Sequence, residues 1–117
     1  MTNRDCIRHG DLLFIPIPAL PGGSKLIENS DGILAEGEAT GHHHRVVTED
    51  LANVEVYNVG WNKSPAVLRV NAEGGISIDH EEHGLRVIPY GPCEGLYGIH
   101  RARTWDYFQG LAASVRD

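Results

Sequence analysis

Apolar residues along this chain come in short runs rich in Val, Ile, Leu and Tyr, broken every few positions by turn formers. The breaks are PALPGG at 18–23, NSDG at 29–32, ATG at 39–41, GWNKSP at 60–65, EGG at 73–75 and YGPCEG at 90–95. Short apolar runs between Gly-, Pro- and Asn-rich punctuation predict strands rather than helices. They fall at 11–17, 25–28, 33–38, 42–48, 54–59, 66–72, 76–80, 85–89 and 96–105. So many strands do not fit one flat sheet, so the pattern predicts an all-β fold of two packed sheets or a closed barrel. No stretch of a dozen residues keeps a helical period, and only the tail from Tyr107 to Val115 reads as a short helix.

Alternation within the runs assigns faces. In Gly-His-His-His-Arg-Val-Val-Thr at 41–48, a strand puts His42, His44, Val46 and Thr48 on one side and His43, Arg45 and Val47 on the other. At 76–80, Ile76, Ile78 and His80 share a face, so His80 takes the buried side of its strand. Beyond Glu81 and Glu82 the same parity joins His83, Leu85 and Val87. A two-residue loop would make His80 and His83 a directly opposed pair with Cβ atoms about 4.5–5.5 Å apart. Glu-Glu is a poor primed turn, however, and Gly84 allows a longer loop, which leaves the facing of His83 open.

Composition narrows the class. A chain of 117 residues, 41% apolar and 22% charged, is long enough for one globular domain spanning 1–117. Sixteen acidic against ten basic side chains leave a net charge of −6, the wrong sign for a phosphate-backbone binder, so nucleic acid is not expected as a partner. The run from Leu12 to Ile17 follows Asp11 and is broken or flanked by Pro16, Pro18 and Pro21, which suits neither a secretory core nor a membrane span. Cys6 and Cys93 stand far apart in no metal-like spacing, which predicts two free thiols in a reducing, cytoplasmic setting.

The compositional anomaly is histidine: there are seven, and five fall at 42, 43, 44, 80 and 83. Taken singly, each is as well explained by a surface or hydrogen-bonded role. Two doublets on apolar-facing parities point instead to joint ligation of one divalent transition metal by His42, His44, His80 and His83. Imidazole suits Zn, Ni, Fe and Cu alike, so the metal is left open. His43 faces away and is expected to be solvated. Glu36, Glu38, Glu49, Glu81 and Glu82 flank the doublets as ligands, orienters of an imidazole, general bases or plain turn acids. Arg101 and Arg103 follow Tyr97 and Ile99 on one parity and are placed either to hold an anionic substrate or at a sheet edge. Trp61, Trp105, Tyr107 and Phe108 line a pocket mouth, a dimer contact or simply the core. There is no Gly-rich phosphate loop, no paired Cys-x-x-Cys ribbon, and no serine in a nucleophile elbow.

The His42-x-His44 doublet after Gly41, with Glu49 five positions on and the later Pro89-x-Gly91 turn, resembles the cupin pattern. That resemblance implies a small cupin-like barrel or jelly roll whose first motif supplies two histidines and a glutamate. The second cupin motif would place a histidine where this chain has Glu94, and the 80/83 doublet precedes the Pro-x-Gly turn. Over nearly the whole length, HGDLLFIPI, LAEGEATGHHHRV, HEEH and the closing VRD are also similar to small bacterial and phage-encoded proteins without an assigned activity. Two functions follow from the ligand count. Three protein ligands leave a position for water or substrate, as in a small metal-dependent enzyme acting on a small polar or anionic molecule by hydrolysis, isomerisation or oxygenation. Four close the shell, as in a non-catalytic, metal-stabilised binding or assembly module. Unprotected sheet edges predict a homodimer.

Overall fold

The computed structural model describes residues 6–28, 31–36, 43–61, 64–81, 83–91 and 93–101. Among these residues there are ten strands: β1 (Ile7–His9), β2 (Leu12–Pro16), β3 (Ser24–Leu26), β4 (Ile33–Glu36), β5 (His43–Val46), β6 (Val54–Val59), β7 (Val67–Val70), β8 (Ile76–Asp79), β9 (Arg86–Ile88) and β10 (Leu96–Arg101). Each predicted strand overlaps an observed one. Two elements are additional: β1, whose three residues are too short to show a period, and a 3-10 helix at Thr48–Asn53, where the 42–48 run ends.

The strands divide into two antiparallel sheets, one in the order β1-β2-β10-β7-β6-β3 and one in the order β4-β5-β8-β9. Among the described residues neither sheet closes into a barrel, which corrects the closed form of the cupin-like expectation while keeping the all-β class. Closure would need β1 to pair with β3, or β4 with β9; each instead stands at an edge of its own sheet. The predicted helix at 107–115 lies outside the described residues.

The sheets share one apolar core. Phe14, Val56, Leu68, Val70 and Tyr97 come from the larger sheet, and Leu34, Val46, Ile76, Ile78 and Ile88 from the smaller. The alternation read from the sequence sets this arrangement: β8 buries Ile76 and Ile78 and turns Asp79 outward. In β5, His44 and Val46 point in while Arg45 points out. The buried Tyr97 ring carries its hydroxyl to Pro89 O, 2.8 Å away, so its one polar atom is paired. Neither Cys6 nor Cys93 is in a disulfide. No helix among the described residues is long and apolar enough to cross a membrane.

Phe14 is fully buried at the centre of the core, whereas Trp61 is 99% exposed. Phe14→Ala is expected to lower unfolding free energy by about 3–5 kcal/mol through lost burial and the cavity it leaves. Trp61→Ala should change it by no more than about 0.5 kcal/mol. Urea unfolding of the two variants beside the parent chain checks both, and a large loss from Trp61→Ala would show that this ring has a partner.

Candidate functional site

The site begins at the shortest hairpin. His9 pairs with Leu12, so β1 and β2 are joined by Gly10 and Asp11 alone. Gly10 has φ +61°, the left-handed value that a glycine supplies at the first central position of a two-residue loop. Strand alternation then buries Ile7 and His9 and exposes Arg8. Asp11 sits on the rim beside the C-terminal end of β10, where Arg101 pairs with Leu12.

The second contribution is the β8–β9 connection. The ladder runs Ile76 to Ile88 and Ile78 to Arg86, and the Gly84 amide donates to His80 O at 2.9 Å. The loop is therefore longer than two residues. His80 and His83 are both turn residues, not a directly opposed cross-strand pair, and Gly84 at φ +71° absorbs the reversal. This corrects the geometry of the doublet and keeps its members together, with ring centroids 4.5 Å apart.

These elements bring four imidazoles into one cluster at one end of the two sheets. His44 on β5 lies 4.9 Å from His9, 4.4 Å from His80 and 6.1 Å from His83, centroid to centroid. His9 is 6.2 Å from His80 and 6.1 Å from His83. His9, His44 and His80 are buried and His83 is exposed, so the cluster is open to solvent on the turn side. Gly10 makes the fit possible, because a Cβ there would come within 2.5 Å of His83 Cδ2 and 3.0 Å of His44 Cε1.

Hydrogen bonds order the cluster into a chain. Arg101 Nη1 donates to Asp11 Oδ2 at 2.6 Å, and the other carboxylate oxygen, Oδ1, lies 2.8 Å from His44 Nε2. His44 Nδ1 meets His9 Nδ1 at 2.9 Å, and His9 Nε2 lies 2.7 Å from Gly84 O. Burial pushes the His44 imidazole down to about 4, against the pull of its bond to Asp11 and with added repulsion from His80 and His9. Burial also works to raise the Asp11 carboxyl, but the hydrogen bonds from His44 and Arg101 and the guanidinium charge outweigh it and hold it below the usual range. At neutral pH the site therefore holds an ionised carboxylate and an uncharged His44.

Of the residues singled out in the sequence, His44, His80 and His83 are brought together, and His9 and Asp11 join them. His42, Glu38, Arg103, Trp105, Tyr107 and Phe108 lie outside the described residues, as does Glu82. Glu49 is exposed on the 3-10 helix after β5, Glu94 is exposed in the turn before β10, and Glu81 Oε1 accepts from the His43 amide at 3.2 Å. Arg101 grips Asp11 and lines a cavity of about 490 Å³ together with Leu12, Leu34, Ile99, His100 and Ser64. Among the described residues no group of three or more His, Cys, Asp or Glu side chains is arranged, as it stands, so that it could hold a metal ion. His9 was readable in principle: Ile7-Arg8-His9 before Gly-Asp is an alternating run entering a hairpin loop.

Two outcomes follow from this geometry. Gly10→Ala must hold an alanine at a positive φ and displace the His83 ring, so it should cost about 1–3 kcal/mol, measured by urea unfolding. The acid response has a definite sign. An unfolded chain protonates His44 near 6.5 while the native ring resists to about 4, so the unfolded state binds the extra proton first. In chelator, stability should fall by up to about 3 kcal/mol between roughly pH 6.5 and 4 and gain no further dependence from this group below that range. Unfolding curves across that range check it, with His44→Gln expected to flatten the slope.

Residues 8–101 match the model of the family described as Domain of unknown function (DUF8820). No curated protein and no solved structure gives a significant match. The matched span runs from β1 to the end of β10 and holds His9, Asp11, His44, His80, His83 and Arg101, and over that span the chain belongs to the DUF8820 family.

Proposed function

We propose that this chain is a small metal-binding protein whose histidine cluster holds one divalent transition-metal ion. The observation that carries the reading is the convergence of four imidazoles, from β1, β5 and the β8–β9 turn, with every pair of rings within 6.2 Å. An imidazole-rich donor set suits Zn, Ni, Fe or Cu better than the hard cations that prefer oxygen ligands. The exposed turn side supports an open coordination position for water or substrate. The cavity that Arg101 lines, with Leu12, Leu34 and Ile99 on its wall, is of a size for a small molecule. On this reading the chain is a metal-dependent enzyme, with hydrolysis, isomerisation or oxygenation as the candidate chemistries.

One observation favours the second reading, a non-catalytic module. His9 belongs to the larger sheet and His44 to the smaller, so an ion between them would cross-link the two layers and stabilise the native state in proportion to its affinity. The readings separate by what metal removal does: a structural ion takes many degrees of melting temperature with it, a catalytic one takes activity and less stability.

Untagged protein is expected to bind about one Zn, Ni, Fe or Cu per chain, measured by elemental analysis and by titration of chelator-treated protein. His44→Ala should weaken binding at least tenfold and His43→Ala should leave it near the parent value, because β5 turns the two rings to opposite sides. Equal losses from both variants, or no binding by the parent chain, would overturn the proposal.

A further inference from the structure

The two innermost histidines have four ring nitrogens, and the structure accounts for each. His44 Nε2 faces the Asp11 carboxylate at 2.8 Å and His9 Nε2 faces the Gly84 carbonyl at 2.7 Å. Both of those oxygens only accept, so each Nε2 carries a proton. A neutral imidazole has one proton to give. Both Nδ1 atoms are then left with lone pairs, 2.9 Å apart.

Two acceptors at that separation repel unless a cation stands between them. A proton would serve by making one ring an imidazolium, and a divalent metal ion would serve with both rings left neutral; either brings charge among rings that are 4% and 0% exposed, partly offset by the Asp11 carboxylate 2.8 Å from His44 Nε2. What favours the metal is the pair of partners on the far nitrogens. Metal-bound histidines ordinarily donate their other ring N–H to a carboxylate or a backbone carbonyl, which fixes the tautomer and the ring plane. Both kinds of partner are already in place here. With zinc–nitrogen bonds of about 2.0–2.1 Å, two tetrahedral ligand nitrogens lie about 3.3 Å apart, so a small opening of the pair admits an ion.

We infer that Nδ1 of His9 and Nδ1 of His44 are the inner ligands of the metal, and that Asp11, anchored by Arg101, is the positioning residue that aims His44. Buried His80 and exposed His83 lie beside this pair, with ring centroids 4.4–6.2 Å from it, and supply either one further donor or two. This rests on the metal-binding reading above and assigns its atoms. The inner pair therefore spans β1 and β5, and is not an i, i+2 pair on one strand.

The test is the tautomer of each ring in 15N-labelled, untagged wild-type protein carrying one equivalent of Zn2+, read from long-range 1H–15N spectra. Both His9 and His44 are expected to carry the proton on Nε2, with Nδ1 shifted by the metal, while His43 and His100 do not respond. In Asp11→Asn, zinc affinity should fall about 10–100-fold. The His44 Nε2 proton should move upfield while that of His9, held by Gly84 O, stays. A merely structural role for Asp11 would disturb both rings alike, and that result would overturn its assignment. If zinc binds but either ring coordinates through Nε2, the atom assignment fails while the metal-binding reading stands. If the wild-type chain takes up no zinc, both fail.

Discussion

The buried contact between His9 and His44 is the constraint around which the rest of the site is arranged. It joins β1 of the larger sheet to β5 of the smaller, beside a core of apolar side chains. Both rings are buried and each keeps its Nε2 paired, to Asp11 Oδ1 in His44 and to Gly84 O in His9, where an unpaired buried polar atom would cost about 1–3 kcal/mol. The hairpin loop of only Gly10 and Asp11 meets this constraint from one side, and the longer β8–β9 turn meets it from the other by placing the Gly84 carbonyl against His9.

Charge is distributed so that His44 stays uncharged inside while Asp11 is ionised at the rim. Asp11 is half-exposed and shares its two oxygens between Arg101 and His44, so its negative charge is compensated before it reaches the buried rings. The guanidinium is thereby committed to holding a carboxylate of its own chain, which changes the role read for Arg101 from the sequence. Its place on the cavity wall still links that cavity to His44 through a single intervening side chain.

Packing explains why a chain with few long elements holds these groups rigidly. The core residues of β2, β7 and β10 face those of β4, β5 and β8, and the functional side chains emerge where those strands end or turn. Strands supply parity and turns supply reach: His44 is aimed by its pleat, whereas His80 and His83 are aimed by a turn that Gly84 closes. Gly10 adds the close approach, since any side chain there would occupy the space of the His83 ring.

Strand positions were legible because a strand half-buried in a two-layer fold must alternate, and that alternation is local. Val54–Val59 was read with its observed ends, and the inward facing of His44, Val46, Ile76 and Ile78 follows from the same period of two. Loop length was less legible: Glu-Glu signalled a turn, but whether it held two residues or more depended on where Gly84 bent the chain. The partnership of His9 with His44, 35 positions later, and of Asp11 with Arg101, 90 positions later, left no local trace. By itself the sequence determined an all-β chain and its strand parities, because those depend on neighbours along the backbone. Only the tertiary structure decided which histidines meet, which carboxylate orients them and that neither sheet closes among the described residues, because those depend on the register and stacking of strands distant in sequence.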